Sequence, residues 1–169
     1  AAGDRIVIVA ENRPEWAIAD IAVMTLGAIS VPAYTTNTVR DHCHVLSHCG
    51  AKGVIVSTRA LAARALPAAA ETAPTEFIVS MEATEPGAFD IAMHGWDDVM
   101  ATGAASEHDL APGLEALTRQ DVACLIYTSG TGGNPKGVML SHRAIMINCY
   151  SACELLRLLG LGDEVFLSF

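Results

Sequence analysis

Short apolar runs alternate with longer helical segments along most of this 169-residue chain. The run RIVIVA at Arg5–Ala10 is compact and rich in branched residues, which is typical of a strand buried on both faces of a sheet. Runs of the same kind occur at Ile29–Ala33, Gly53–Ser57, Phe77–Met81 and Asp121–Tyr127. Strands separated by helices in this way predict an α/β fold, in which βαβ units build a parallel sheet with helices on its faces.

The first two helix starts are marked by short polar residues. Asn12 is predicted to cap a helix that has Pro14 in its first turn, because asparagine is a good N-cap and proline suits the first helical position. Thr38, followed three residues later by Asp41, predicts the start of a second helix, and Gly50 predicts its end.

The later elements are less evenly marked. An alanine-rich helix is predicted to end at about Leu66, and residues 83–120 are predicted to be a surface excursion with one short helix around Trp96–Met100. Ser141 is predicted to cap a final helix over His142–Leu159. The chain opens on a strand-like run and stops on the apolar run DEVFLSF, so we expect it to be a piece of a longer protein.

The charge balance and the length of the apolar runs argue against several classes of function. The formal net charge is −9, and lysine and arginine do not cluster, so nucleic-acid binding is not expected. The apolar runs are shorter than the roughly 18 residues that a membrane-spanning helix needs. Since no secretory signal opens the sequence either, the cytoplasm is the expected location.

One segment with several histidine and cysteine residues raises the question of a metal site. The segment DHCHVLSHCG holds His44 and His48 four apart, yet no second cluster with a convincing spacing accompanies it, so a surface helix without metal is favoured. Cys149 and Cys153 are expected to pack as small apolar residues, and Cys124 is expected in the core. Packing roles are likewise favoured for Trp16 and His142, and all five cysteines are expected to be reduced.

The most informative stretch is YTSGTGGNPKG at 127–137, which holds four glycines, three small hydroxyl residues and one lysine. Glycine permits the backbone conformations in which successive N–H groups converge on an anion. The hydroxyls add donors, and Lys136 adds a positive charge just after the rigid Pro135. A loop of this composition between two core strands indicates polyphosphate binding, although an ordinary glycine-rich hairpin has the same outline.

Two familiar phosphate-binding motifs do not fit this loop. A P-loop needs G-x-x-x-x-G-K-[ST], but Pro135 precedes Lys136 and Gly137 follows it. The dinucleotide pattern G-x-G-x-x-G, counted from Gly130, also ends on Pro135.

The stretch LIYTSGTGGNPKGVMLSH instead resembles the signature loop of the adenylate-forming (AMP-binding) enzymes, T-S-G-T-[ST]-G-x-P-K-G after a hydrophobic strand. Gly132 departs from that pattern, since a second hydroxyl residue is usual there. Upstream, GDRIVIVAENRPEWAIADIAVMTLGAISVPAYTTNT is similar to the N-terminal portion of long-chain acyl-CoA synthetases. The resemblance implies that residues 1–169 are part of the large N-terminal α/β domain of such an enzyme.

The resemblance also implies a reaction and a set of binding residues. Family members use ATP and Mg²⁺ to convert a carboxylic acid, here a fatty acid, into an acyl-adenylate, and coenzyme A then displaces AMP. The β- and γ-phosphates of ATP would be held by Thr128, Ser129, Gly130, Thr131, Gly132, Gly133 and Lys136. The lipid substrate is compatible with peripheral membrane association.

No catalytic residue and no metal ligand is expected within this chain. The family's adenine motif with its Mg²⁺-linked glutamate, its ribose-binding aspartate and the catalytic lysine of its small C-terminal domain would all follow residue 169. The isolated segment is therefore expected to be inactive. An aryl-CoA ligase, an amino-acid adenylation domain and a non-catalytic nucleotide-binding scaffold of the same fold remain open as alternatives.

Overall fold

The computed structural model describes residues 1–72, 75–84, 90–128 and 134–161. Its strands are β1 (Arg5–Val9), β2 (Ile29–Pro32), β3 (Gly53–Val56), β4 (Phe77–Ser80), β5 (Ala92–Gly95), β6 (Val122–Thr128) and β7 (Lys136–Ser141). Its helices are α1 (Pro14–Thr25), α2 (Val39–Cys49), α3 (Arg59–Glu71), α4 (Trp96–Ala104), α5 (Ala111–Ala116) and α6 (His142–Leu158).

Within these residues the strands form one seven-stranded sheet in the order β5-β4-β3-β1-β2-β6-β7. Neighbouring strands from β5 to β6 are parallel, and β6 joins β2 where Ser30 pairs with Cys124. Only the β6–β7 pair in this part of the chain is antiparallel. The predicted α/β fold with a mostly parallel sheet is therefore confirmed.

Helices cover both faces of the sheet, because successive side chains of a strand point to opposite faces. Val7 and Val9 of β1 belong to a core cluster with residues of α2 and α3. Ile6 and Ile8 of the same strand belong to a second cluster with α1, against which Trp16 packs as predicted. Ile6–Val9 is buried on both sides and has no polar position, which is why the run after Arg5 is continuously apolar.

Several helix boundaries differ from the predictions. Arg13, not Asn12, takes the N-cap position of α1, since the residue before Pro14 is forced into the extended conformation that an N-cap adopts. Helix α3 does not end at Leu66 but continues through Pro67 to Glu71. Ala68 and Ala69, which follow this proline, are buried in the core, and that burial maintains the helix beyond its proline.

The described part of the region predicted as a surface excursion, residues 83–84 and 90–120, holds one strand and two helices, where a single short helix was expected. Its short strand β5 extends the sheet beside β4, and its helix α4 is longer than predicted. The strand sequence AMHG has no apolar run to reveal it, because β5 is an edge strand whose residues are mostly exposed.

The other predicted helix ends are correct. Thr38 and Asp41 form a capping box at the start of α2, and Gly50 ends that helix in the left-handed conformation, with φ 61°. The Ser141 side chain accepts a hydrogen bond from the Ala144 backbone N–H and caps α6. Cys124 is buried as expected, but Cys149 and Cys153 are exposed, because α6 has no buried residue within the described chain.

Gly53 leaves room for the side chain of Phe77 on the neighbouring strand, so a larger residue at position 53 is expected to clash. A Cβ atom at Gly53 would overlap the ring of Phe77, its partner on β4. Gly53→Ala is therefore expected to destabilise the protein by about 1–3 kcal/mol through overpacking. Thermal unfolding of the intact protein measures this loss.

The matched control is a glycine with open space around it. A Cβ at Gly103, in helix α4, would meet nothing within 4 Å, so Gly103→Ala is expected to stabilise slightly through helix propensity. Equal melting of the Gly53→Ala variant and the unmodified protein would contradict the overpacking argument.

Candidate functional site

The glycine-rich segment lies between two strands that hydrogen-bond to each other. Thr128, the last residue of β6, is the direct cross-strand partner of Lys136, the first residue of β7. Opposed residues of an antiparallel pair have Cβ atoms about 5 Å apart, so the two ends of the segment are held side by side. Ser129, Gly130, Thr131, Gly132 and Gly133, the other predicted phosphate ligands, lie outside the described residues.

Next to these ends, Tyr127 pairs with Gly137 across the two strands. The tyrosine is only 4% exposed, and its ring covers the glycine. A Cβ atom at Gly137 would lie 3.3 Å from the ring Cζ, which is tighter than most packed contacts. Glycine at 137 thus allows Tyr127 to lie flat across the base of the hairpin.

Helix α2 contacts the same hairpin from one face of the sheet. His44 Nε2 lies 2.8 Å from the backbone carbonyl oxygen of Pro135, and His48 Nδ1 lies 2.8 Å from the Tyr127 hydroxyl. The Tyr127 hydroxyl can also donate to the Val45 carbonyl, at 3.5 Å. Residues of α2 that are far from the hairpin in the sequence therefore contact the base of the hairpin.

Aromatic packing accompanies these hydrogen bonds. The rings of His44 and His48 stack with centroids 5.5 Å apart, because residues four apart lie on the same side of a helix. Each imidazole meets the Tyr127 ring edge-on, at centroid distances of 6.1 and 5.7 Å. Burial, with the Cys49 thiol beside it, raises the pKa of Tyr127 to about 12, so its hydroxyl stays protonated at neutral pH.

The histidines of DHCHVLSHCG thus make contacts that their sequence pattern does not reveal. The helix was predicted to lie on the surface, but His42 and Val45 are buried and face the core. Within the described residues, no group of three or more His, Cys, Asp or Glu side chains is placed to hold a metal ion. The i, i+4 spacing of the two histidines was visible in the sequence, but their partners were not.

Lys136 projects from the hairpin base toward solvent, where it can meet an anion. Its side chain is exposed, whereas the neighbouring Tyr127 is buried, so the base is packed on one side and accessible on the other. Beyond β7 the chain enters α6, and the His142 backbone N–H donates to the Asp121 carbonyl. His142 is half-buried at this helix start, and the packing role predicted for it stays a prediction.

The described helices include none that is long and apolar enough to cross a membrane.

Comparison with protein families gives one match that covers the whole chain. The family described as "AMP-binding enzyme" matches residues 1–169. A long-chain-fatty-acid–CoA ligase of Mycobacterium tuberculosis, FadD15, is 33% identical over 141 residues, which is 83% of this chain and 22% of that protein. The chicken (Gallus gallus) long-chain-fatty-acid–CoA ligase ACSBG2 is 30% identical over 160 residues, which is 94% of this chain and 21% of that protein.

Solved structures give the same fold. The A-PCP didomain of a carboxylic acid reductase from Segniliparus rugosus, in complex with AMP, superposes with a TM-score of 0.74 at 23% identity. This match covers 84% of this chain and 22% of that one. A Mycobacterium tuberculosis fatty acyl CoA synthetase superposes with a TM-score of 0.63 at 25% identity, covering 90% of this chain and 27% of that one.

Proposed function

Since the chain belongs to the AMP-binding enzymes, we propose that it is the ATP-phosphate-binding part of an AMP-forming acyl-CoA synthetase for long-chain fatty acids. The chain spans about a fifth of the length of the curated relatives it matches, 22% in one case and 21% in another. Activity, substrates and cofactors of the whole protein are thus part of the proposal, as is its assignment to the large N-terminal domain.

The observation that carries the proposal is the cross-strand pair of Thr128 and Lys136 at the base of the glycine-rich segment. The pairing of these two residues brings one hydroxyl and one ammonium group to the same end of the hairpin, and both residues are exposed to solvent. We propose that Ser129, Gly130, Thr131, Gly132 and Gly133 complete the set with hydroxyl and backbone N–H donors. Donors grouped in this way suit the terminal phosphates of ATP.

The proposed site would act on the leaving group of the first half-reaction. The substrate carboxylate attacks the α-phosphorus of ATP, an acyl–phosphate bond forms, and the bond from the α-phosphorus to the pyrophosphate oxygen breaks. Negative charge builds on the departing pyrophosphate, and preorganised donors around it lower the barrier. Lys136 and Thr128 are the described residues that would supply this stabilisation.

The remaining chemistry is assigned to other parts of the protein. By the family resemblance of the glycine-rich motif, Mg²⁺ and coenzyme A are proposed to bind mainly in regions of the protein outside this chain. The 169-residue segment alone is therefore expected not to turn over. We also propose that the intact enzyme works in the cytoplasm, with peripheral attachment to membranes compatible with its lipid substrate.

The test is an ATP–pyrophosphate exchange assay on the full-length protein that carries this chain. Saturated fatty acids of increasing length, an aryl acid such as anthranilate and a mixture of amino acids serve as the three arms. Exchange that depends on the long-chain acids supports the proposal. Exchange that depends on the aryl acid or on amino acids would assign the chain to another adenylating enzyme, and absence of exchange in all arms favours a non-catalytic scaffold.

A further inference from the structure

We propose that His44 is a positioning residue for Lys136, and that His48 holds the opposite strand of the same hairpin through Tyr127. This inference rests on the proposed function, because it assigns to helix α2 the task of holding the phosphate-binding hairpin. The two histidines act through the backbone and through Tyr127, and neither is proposed to touch ATP.

The contact of His44 defines the direction of its hydrogen bond. A backbone carbonyl oxygen only accepts, so at 2.8 Å the His44 Nε2 carries a hydrogen and donates it to Pro135. This carbonyl belongs to the peptide group that joins Pro135 to Lys136. Because a peptide group is planar, holding its oxygen also fixes the orientation of the Lys136 backbone N–H.

The contact of His48 fixes the other strand. Its Nδ1 shares a hydrogen bond with the Tyr127 hydroxyl, and the Tyr127 ring covers Gly137. Tyr127 directly precedes Thr128, and Gly137 directly follows Lys136. Both ends of the glycine-rich segment therefore contact α2. The contact of His48 is with β6, and the contact of His44 is with Pro135, just before β7.

Helix α2 is itself firmly attached to the sheet, so it can serve as a fixed reference. Its start is closed by the capping box of Thr38 and Asp41. At its end, the Arg5 guanidinium of β1 donates to the carbonyl of Gly50, at 2.7 Å, and also to that of Cys49. A cation that binds the last carbonyls of a helix is also favoured by the helix dipole.

The experiment separates positioning from simple packing by means of two substitutions at one residue. In the full-length protein, His44→Leu removes the donor, whereas His44→Gln keeps an N–H donor close to the position of Nε2. Exposed His108, on a loop outside the hairpin, provides the control variant His108→Leu. The KM for ATP, the KM for the fatty acid, kcat and the thermal midpoint are measured for each protein.

We expect His44→Leu to raise the KM for ATP about fivefold, which corresponds to the net contribution of one hydrogen bond. The KM for the fatty acid should not change, His44→Gln should restore most of the ATP affinity, and His108→Leu should behave as the unmodified protein. A loss of thermal midpoint in His44→Leu with an unchanged KM for ATP would overturn the proposal, because it would assign His44 a packing role only.

Tyr127→Phe provides a second and independent measurement. This change keeps the ring on Gly137 and removes the hydroxyl that contacts His48 and the Val45 carbonyl, both on α2, so the KM for ATP should again rise while the fold is retained. An unchanged KM for ATP in Tyr127→Phe would overturn the part of the proposal that concerns His48.

The proposed function and this inference fail in different ways. If no long-chain acid supports ATP–pyrophosphate exchange in the unmodified protein, the proposed function fails. If exchange is present but Lys136→Ala leaves it unchanged, the phosphate-binding role of Lys136 fails. If Lys136→Ala lowers the exchange but His44→Leu leaves the KM for ATP unchanged, only the role of His44 is lost.

Discussion

Replacement of Lys136 by alanine in the full-length protein is expected to lower ATP–pyrophosphate exchange by about 10²–10³-fold, the usual effect of removing one preorganised donor from a developing charge. Lys136 stands at the exposed base of the hairpin, beside Thr128, where it can contact the pyrophosphate that leaves. The thermal midpoint should change little, because an exposed lysine contributes little to the core. Exchange kinetics at saturating fatty acid measure the effect.

The sequence offers one matched control, since Lys52 is its other lysine. Lys52 is partly exposed and lies 3.7 Å from Asp4 and 3.4 Å from Glu76, away from the hairpin. Exposed ion pairs of this kind contribute little, so Lys52→Ala should retain full exchange activity. A Lys136→Ala enzyme that is as active as Lys52→Ala would remove the ammonium group from the mechanism.

The second large effect concerns acid stability and His42. This histidine is 1% exposed, and its Nε2 has no hydrogen-bond partner among the described residues. Burial, reinforced by the positive charge of Arg64 and partly opposed by Asp41, lowers the pKa of His42 from 6.5 to about 4. The folded protein therefore keeps this imidazole neutral in a pH range where the unfolded chain protonates it.

The sign of the effect follows from this difference in proton binding. Between pH 6.5 and about 4 the unfolded state binds more protons than the folded state, so stability falls as the pH falls through this window. The loss from His42 is complete below about pH 4 and is on the order of 3 kcal/mol. Above pH 6.5 the imidazole is neutral in both states and does not contribute to the pH dependence.

His42→Leu is expected to remove this acid sensitivity and to cost little at neutral pH. Leucine fills a similar volume and eliminates the unpaired buried nitrogen. Amide hydrogen exchange in β1 and β3 of the intact protein, compared between the variant and the unmodified protein at pH 7 and at pH 4.5, measures the difference. His108→Leu is the exposed control, and equal acid destabilisation of the protein with and without His42 would contradict the argument.

The central part of the fold was predictable because the local and long-range signals agree there. Ile6–Val9 and Val54–Val56 are branched residues that the sheet buries, and Thr38, Asp41 and Gly50 mark the ends of α2 in the local sequence. Elements that depend on tertiary contacts were missed. Strand β5 is defined by the edge of β4 and not by its own sequence, and α3 continues past Pro67 because of core burial.

The candidate site was predictable only as far as it is local. The composition of YTSGTGGNPKG indicates phosphate binding without any knowledge of the fold, and the described strands confirm its placement between two paired ends. The ties from α2 could not be found in this way, since His44 and Pro135 are separated by 91 residues. The i, i+4 spacing of two histidines does not specify whether their ring nitrogens bind a metal, a tyrosine hydroxyl or a backbone carbonyl.

The pairing of Ser30 with Cys124 has a consequence for the order in which the molecule assembles. Strands β1–β4 follow one another through short crossovers, whereas β6 must return across most of the chain to reach β2. Closing so long a loop costs more entropy, so we expect the β6–β7 hairpin to dock after the rest of the sheet has consolidated. If the docked hairpin is what binds ATP, the nucleotide would favour this final step, and a protease would cut the hairpin sooner when ATP is absent.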